Sequence, residues 1–324
     1  MNVLVTGGAG YIGSHTVKML IEKEHNVTVF DNLSRGHIES IPKGIPFEKV
    51  DILDAKGLNS AFKKYSFDSV IHFAAFAYVG ESMENPAMYF RNNVSGSSNL
   101  IRIANENGVK KFVFSSTCSL YGNPEIIPIS EKESTKPINP YAKTKFIVEE
   151  ILDFYDISVG MKYVALRYFN AAGASDDSSI GESHDPEPHL IPLVLFSALG
   201  KSDSIKIYGN DYNTKDGTCI RDYIHVNDLA DAHIKALELL NSGNKSEIIN
   251  LGTGNGNSVL EIIDKAREIT GREIKSEITN RRPGDPDILV ADNKKAKEIL
   301  GWIPKYNLEK IIETAWNWHK NQKY

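Results

Sequence analysis

Cysteines and long apolar runs are both scarce in this sequence of 324 residues. The two cysteines, Cys118 and Cys219, form neither a disulfide framework nor a metal-binding motif, so we expect a reducing, cytoplasmic setting and no metal. No apolar run reaches the length of a membrane span, and the glycine turn at Gly7 leaves no room for a secretory signal before it. Basic excess is lacking too: the net charge of −5 argues against nucleic-acid or membrane-surface binding.

The first half of the chain alternates between strand-like and helix-like segments. The strand candidates are nearly continuous runs of Val, Ile and Phe, which is the pattern of parallel strands covered on both faces. They are "NVLVT", "NVTVFD", "SVIHFAA", "KFVFSS" and "YVALRYFN", and each lies near a segment with helical spacing. Alternation of this kind predicts an α/β fold with a Rossmann-type, doubly wound parallel sheet.

The residue pattern changes after Asn170. The segment "AAGASDDSSIGESHDPEPH" is long and polar enough to suggest a functional loop. Mixed segments follow, and "EIINLG" resembles one more strand of the large sheet. A chain of this length exceeds the usual size of a single core, so we expect two lobes. Residues 1–170 are assigned to a nucleotide-binding domain, with segments returning near 220–250. Residues 171–324 mainly form a smaller, interleaved α/β substrate-binding domain.

The segment "VLVTGGAGYIGSH" places Gly7, Gly10 and Gly13 at intervals of three, between the first strand and the first helix. The unpaired backbone N–H groups that open a helix attract an anion such as a pyrophosphate, and small residues let the backbone approach it. Glycines also serve tight turns for purely geometric reasons. The position of this turn after the first strand favours dinucleotide binding.

An acid, Asp31, ends the second strand, where a carboxylate can accept hydrogen bonds from ribose hydroxyls and repel a 2′-phosphate. This favours NAD over NADP, although Arg35 lies nearby and is able to pair with a phosphate. Asp51 follows another strand-like run. It is placed either to meet the adenine edge or to cap a helix.

The segment "NPYAKTK" places Tyr141 and Lys145 on one face at the start of a predicted helix. A free phenol is a poor base at neutral pH, and a nearby cation favours the phenolate. Upstream, "FVFSSTCSLYG" brings Thr117 to the carboxyl end of a strand, where ligands of such sheets bind. Its hydroxyl is suited either to a substrate oxygen or to capping the next turn. Cys118 lacks an identified basic partner and is interpreted as packing.

Further segments complete a recognisable pattern along the chain. In order they are "VLVTGGAGYIGSH", "FDNLSRG", "VIHFAA", "FSSTCSLYG", "NPYAKTK", "LRYFN", "RDYIHVNDLADAH", "NLGTG" and "RRPGD". Together they resemble the extended short-chain dehydrogenase/reductase family over essentially the whole chain. The string "GNDYNTKDGTCIRDYIHVNDLADAH" is the most specific. It resembles members that reversibly invert carbon 4 of UDP-glucose and UDP-galactose through a transient 4-keto sugar, with NAD as cofactor.

The resemblance implies roles for individual residues. Tyr141 would be the catalytic base, Lys145 would hold the nicotinamide ribose and lower the tyrosine pKa, and Thr117 would bridge substrate and tyrosine. The cofactor positions are Gly7, Gly10, Tyr11, Ile12, Gly13, Asp31, Asn32, Ser34, Asp51, Ile52, Phe73, Ala74, Ala75, Asn92, Lys145 and Phe169. The UDP-sugar positions are Thr117, Asn170, His189, Leu190, Lys206, Tyr208, Arg221, Arg282, Asp285 and Leu289. The two arginines also suit a diphosphate by charge and geometry.

Two positions depart from the family pattern. Ala77 stands where some members place a lysine near the cofactor, and Leu289 stands where others carry Tyr or Cys beside the sugar's 2-substituent. Activity on UDP-N-acetylhexosamines is therefore an open expectation. UDP-hexuronate 4-epimerisation, another nucleotide-sugar modification and a non-catalytic NAD-sensing module are the alternatives. The resemblance also implies a homodimer formed through the helices around 84–108 and 141–157.

Overall fold

A computed structural model describes residues 1–282 and 285–324. Its strands are β1 Asn2–Thr6, β2 Asn26–Asp31, β3 Phe47–Lys49, β4 Ser69–His72, β5 Lys111–Thr117, β6 Lys162–Tyr168, β7 Asn170–Ala172, β8 Ile205–Tyr208, β9 Ile220–His225, β10 Glu247–Leu251, β11 Gly256–Ser258, β12 Ser276–Thr279 and β13 Ile288–Leu289.

The α-helices are α1 Tyr11–Glu22, α2 Ala55–Phe62, α3 Val79–Glu84, α4 Pro86–Tyr89, α5 Ser97–Glu106, α6 Pro140–Val159, α7 Leu190–Ala198, α8 Val226–Asn241, α9 Val259–Thr270, α10 Lys294–Leu300 and α11 Leu308–Lys320. A π-helical segment, Phe90–Gly96, joins α4 to α5, and 3₁₀ turns occupy Ile38–Ser40 and Cys118–Tyr121.

Seven parallel strands form the large sheet in the order β10-β6-β5-β4-β1-β2-β3. The chain winds outward from β1 in one direction through β2 and β3, and in the other through β4, β5 and β6. A crevice therefore opens between β1 and β4 at their carboxyl ends, which is where doubly wound sheets bind ligands. The doubly wound α/β fold predicted from the sequence is confirmed.

Both faces of this sheet are covered, as the continuous apolar runs predict. Val3 and Val5 of β1 pack in one core cluster with apolar residues of α1 and α8. Leu4, between them, belongs to the opposite cluster, which includes residues of α2, α5 and α6. Alternate side chains of one strand thus supply two separate cores, because successive residues point to opposite faces.

The remaining strands form smaller sheets. In one, β9 pairs in parallel with β7 and β13 and antiparallel with β11. In the other, β8 pairs in parallel with β12. A third core lies among α7, α9 and α11, whereas β10 pairs with β6 of the large sheet. Among the described residues, no helix is long and apolar enough to cross a membrane.

Candidate active site

The glycine turn is built so tightly that side chains do not fit. Gly7 has φ +73°, and a Cβ there would lie 2.5 Å from the backbone nitrogen of Ala74 at the end of β4. A Cβ on Gly13 would overlap the carbonyl oxygen of Gly7. Gly10 is the N-cap of α1 and gives it no side-chain cap, so no side chain at the cap satisfies the first N–H groups of this helix. The turn is shaped to hold an anion.

Beside the turn, a cavity of about 490 Å³ collects four of the predicted cofactor residues, namely Asn32, Ser34, Asp51 and Asn92. The side chain of Asn32 donates to Asp51 Oδ2 over 3.0 Å, which joins the ends of β2 and β3. The helix-capping use of Asp51 is not realised, because Asp54 is the N-cap of α2. Ile52 is buried against Gly96 at the edge of this region. The cavity has the size of a small-molecule site.

Asp31 is buried behind the turn. Its carboxylate accepts from the backbone N–H of Ala9 over 3.0 Å and from that of Leu33 over 2.8 Å. Burial raises the pKa of Asp31, and these two hydrogen bonds oppose the rise. Arg35, the competing phosphate partner in the sequence, donates to Glu81 over 2.6 Å and lies over the ring of Tyr78. Glu81 and Tyr78 therefore engage the arginine.

Tyr141 and Lys145 lie in the first two turns of α6. This helix begins sharply because Asn139 caps it, accepting from Ala142 N over 2.8 Å, and Pro140 takes the first helical position. The Lys145 ammonium is buried and donates to the Ser115 carbonyl over 2.7 Å. Burial lowers the pKa of Lys145 to about 7, and Glu149 opposes that fall. An ammonium has three donors, so two stay available to a ligand.

Thr117 ends β5 beside Tyr141. Its hydroxyl accepts from the backbone N–H of Ser119 over 3.1 Å, so it caps the following 3₁₀ turn as well as facing the site. Burial raises the pKa of Tyr141 well above its ordinary value, and the nearby Thr117 hydroxyl opposes this rise. The resemblance implies a tyrosine pKa lowered by Lys145. The described residues alone produce the opposite net direction, because the phenol is enclosed by the core.

A buried ion pair between Glu149 and Arg167 lies behind Tyr141 and Lys145, and the sequence analysis did not predict it. Glu149, one turn beyond Lys145, accepts from Ser116 Oγ over 2.5 Å and from Arg167 Nη2 over 2.5 Å. Arg167 also donates to the hydroxyl of Tyr121 over 3.0 Å. The regular spacing of Tyr141, Lys145 and Glu149 along one helix face is the sequence feature that indicates Glu149 as part of the site. This network ties α6 to β5 and β6 and so fixes the catalytic face of the helix.

The remaining predicted cofactor residues flank the crevice. Phe73 and Ala74 follow β4 and donate from their backbone N–H groups to the Thr6 carbonyl over 2.8 and 3.1 Å. Phe169 follows β6 and is buried. Tyr11 and Ile12 open α1, and Ala75 is half-buried, whereas Ala77 is exposed. The hydroxyl groups of Ser115 and Tyr168 form a hydrogen bond of 2.6 Å with each other.

Several predicted UDP-sugar residues meet around β9. Arg221 forms an ion pair with Asp285, and Leu289 pairs with Arg221 in the sheet. Burial raises the pKa of the Cys219 thiol. The charges of Arg221 and Arg282 oppose this rise, and that of Asp285 adds to it, so all three lie near the thiol. The Arg282 guanidinium lies over the ring of Tyr208 at 4.1 Å. Two arginines near one carboxylate leave positive charge for a diphosphate.

The other four predicted substrate residues are spread over neighbouring elements. Lys206 is exposed and lies two residues before Tyr208 in β8, which gives the two side chains one common face. Asn170 begins β7, and Leu190 begins α7. His189 is the N-cap of α7, and its ring contacts carboxylates of its own loop.

A doubly wound sheet with a glycine-lined anion site, and a tyrosine and a lysine on one helix face beside it, defines a dinucleotide-dependent enzyme of the short-chain dehydrogenase type. Residues 3–252 match the model of the NAD dependent epimerase/dehydratase family. The chain belongs to this family.

Three relatives agree with that assignment. The UDP-glucose 4-epimerase of Lacticaseibacillus casei is 50% identical over 322 residues, covering 99% of this chain and 97% of the relative. The crystal structure of UDP-glucose 4-epimerase from Brucella ovis in complex with NAD is 48% identical, with a TM-score of 0.95 and coverage of 98% and 97%. The UDP-Glc/GlcNAc 4-epimerase from Campylobacter jejuni is 41% identical, with a TM-score of 0.87 and coverage of 98% and 99%.

Proposed function

We propose that this protein is an NAD-dependent isomerase that interconverts UDP-glucose and UDP-galactose by inverting carbon 4 of the sugar. The family membership and the 50% identity over nearly the whole chain support this activity. The observation that carries it is the meeting of Thr117 and Tyr141 at the carboxyl end of β5, with Lys145 on the same helix face. Hydroxyl, phenol and ammonium suit the proton transfer that accompanies oxidation of a secondary alcohol.

The glycine turn and the cavity beside it fit a dinucleotide, with Asp31 at the ribose and Asn32, Ser34, Asp51 and Asn92 around the adenosine. When bound, NAD supplies a hydride acceptor and, in its oxidised form, a positive charge. Tyr141 takes the proton of the sugar's 4-hydroxyl and later returns it. Thr117 donates to the phenolate, which holds the proton acceptor in place.

The substrate is held by its nucleotide. Arg221 and Arg282 bind the diphosphate, and Asp285 is available to ribose hydroxyls once Arg221 turns to the phosphates. Because the substrate is bound by its UDP group, the hexose is free to rotate between the oxidation and the reduction of carbon 4. The 4-keto sugar then presents its other face to the cofactor, and the configuration at carbon 4 is inverted.

The activity is tested by incubating the purified protein with UDP-galactose and resolving the sugar nucleotides. We expect conversion to UDP-glucose, and no reaction with UDP-galacturonate, which the hexuronate alternative requires. Cys118 and Cys219 are free thiols, which is usual for proteins of a reducing compartment. We therefore propose that the protein acts in the cytoplasm.

The cofactor preference gives a prediction for Asp31. Because hydride is returned in every turnover, we expect the wild-type protein to copurify with NAD. Asp31→Ala removes the ribose acceptor and the bonds to Ala9 and Leu33, so the variant should retain markedly less dinucleotide. Nucleotide content after denaturation measures this. Full activity that depends strictly on added NADP would show that Asp31 does not choose the cofactor.

We propose that substrate breadth depends on Leu289, which pairs with Arg221 in the sheet around β9. Leucine is smaller than tyrosine, so we propose measurable activity on UDP-N-acetylglucosamine beside the preference for UDP-glucose and UDP-galactose. Leu289→Tyr should selectively depress kcat/KM for the N-acetyl pair, because the added ring clashes with the 2-substituent. Equal losses on both pairs, or no N-acetyl activity in the wild type, would remove Leu289 from this role.

We also propose a homodimer that includes the outer face of α6. Phe154 and Ile157 lie one turn apart on this helix, with 68% and 81% of their surfaces exposed. Neighbouring apolar side chains at such exposure are typical of an interface. Phe154→Glu/Ile157→Glu should halve the mass measured by light scattering. The control is Ile278→Glu, which alters an apolar residue of β12 that is 61% exposed. A monomeric wild type, or equal dissociation by the control, would contradict the assignment.

A further inference from the structure

The long polar loop between β7 and α7 brings four metal-ligating side chains together, and one of them, His189, is also a predicted UDP-sugar residue. Glu182, His184, Glu187 and His189 each offer one ligand atom, and these atoms all lie within 4.8 Å of one another. The sequence pattern is Glu-x-His-x-x-Glu-x-His. The sequence analysis expects no metal because it weighs cysteine spacing alone. From this cluster we propose a binding site for a divalent transition-metal ion, best suited to zinc.

Two of the distances within the cluster match a tetrahedral ion, and all four ligand atoms lie within 4.8 Å of one another. Ligand atoms at about 2.0–2.1 Å from zinc lie about 3.3–3.4 Å from each other. His184 Nδ1 is 3.3 Å from Glu182 Oε1 and 3.4 Å from Glu187 Oε2. His189 Nδ1 is 2.8 Å from Glu182 Oε1 and 2.7 Å from Glu187 Oε1, so its ring needs to move by about half an ångström.

One ligand atom of the cluster makes no well-directed hydrogen bond. His184 Nδ1 is buried and has no hydrogen-bond partner among the described residues, although two carboxylates lie beside it. A buried polar atom in this state is costly unless something satisfies it. A bound cation would accept its lone pair directly.

The charge of the cluster is compatible with a divalent ion. The side chains of Glu182 and Glu187 are only 4% and 5% exposed, and two carboxylates so close together repel each other. Two carboxylates, two neutral imidazoles and one divalent cation sum to zero charge. The imidazole nitrogens favour zinc over magnesium and calcium, which prefer oxygen ligands throughout.

The surrounding backbone holds the loop in place for such a site. The Trp318 indole donates to the Glu182 carbonyl over 2.8 Å, and His37 meets the Ser183 carbonyl over 3.1 Å. The ring of Tyr11, at the start of α1, contacts the His184 ring edge-on. The ion would therefore fasten the loop between the glycine turn and the first residue of α7. Its role is structural, and it does not depend on the reaction proposed above.

The test measures metal directly. The full-length protein, purified without a polyhistidine tag or chelator, should contain about one zinc per chain by elemental mass spectrometry. After the zinc is removed, Co²⁺ should bind and give the visible absorption of a tetrahedral nitrogen and oxygen site. His184→Leu and Glu187→Gln should each weaken Co²⁺ binding by at least about tenfold, since even changes beyond the ligands cost that much.

The matched control is His37→Gln, which alters a contact to the same loop without removing a ligand. It should keep its zinc and its cobalt spectrum. Zinc-free wild-type protein that also fails to bind Co²⁺ would overturn the site. Equal metal loss in His37→Gln would overturn the ligand assignment, because it would trace metal binding to loop order instead. Activity is not the readout, so failure here leaves the epimerase proposal standing.

Discussion

Tyr141→Phe should lower kcat for the UDP-galactose reaction by roughly 10²–10⁴-fold, the usual contribution of a positioned general base. The substitution deletes only the hydroxyl, so the buried ring continues to pack beside Thr117 and Tyr168. Binding of UDP should be unchanged, because its expected ligands lie around β9. Steady-state kinetics with UDP-galactose and a titration with UDP separate the two effects.

Cys118→Ala is the matched control for that experiment. Cys118 follows Thr117 directly and is buried, and burial raises the pKa of its thiol to about 12, so it is unreactive at neutral pH. Its removal should change kcat little. Turnover near the wild-type rate in Tyr141→Phe, or a comparable loss in Cys118→Ala, would contradict the role assigned to the tyrosine.

Gly7→Ala should cost both stability and cofactor. The new Cβ would meet the Ala74 backbone at a residue with φ +73°, and backbone cannot rotate away as a side chain can. Left-handed strain and overpacking together predict a loss of about 2–5 kcal/mol in the free energy of unfolding. A displaced turn would also move the backbone N–H groups expected to bind the pyrophosphate, so NAD binding should weaken by about tenfold or more, which corresponds to about 1.4 kcal/mol. Thermal unfolding and an NAD titration measure the two losses.

Gly200→Ala isolates the backbone strain. Gly200 has the same φ of +73°, but a Cβ there meets no atom of the described structure within 4 Å. We expect a loss of only about 1–2 kcal/mol and unchanged NAD binding. If both variants lost the same stability and both kept NAD, close approach in the glycine turn would not be what seats the cofactor.

The features predicted best from the sequence are those with local causes. The inner strands of the large sheet are predictable because they are short apolar runs buried on both faces, whereas the edge strand β3, Phe-Glu-Lys, has no such pattern. The glycine turn is predictable because its spacing is contained in seven residues. The helix start before Tyr141 follows from its Asn-Pro cap. Such features need no knowledge of distant contacts.

The features that sequence reasoning missed depend on distant partners. Glu149 and Arg167 pair across α6 and β6, and neither residue identifies the other. The raised pKa of Tyr141 comes from burial, which depends on how Tyr168 and the helix pack. The contact between Arg35 and Glu81 joins residues 46 positions apart, so the local sequence does not predict it. Packing, and not residue type, decides each of these.

The central claim is that carbon 4 loses its hydride to NAD and regains it on the opposite face. The most direct measurement follows deuterium placed at carbon 4 of UDP-galactose, with purified protein and no added dinucleotide. The account predicts UDP-glucose that retains the deuterium at carbon 4. Conversion in which the label is lost to water, or no conversion by protein that carries bound NAD, would contradict it.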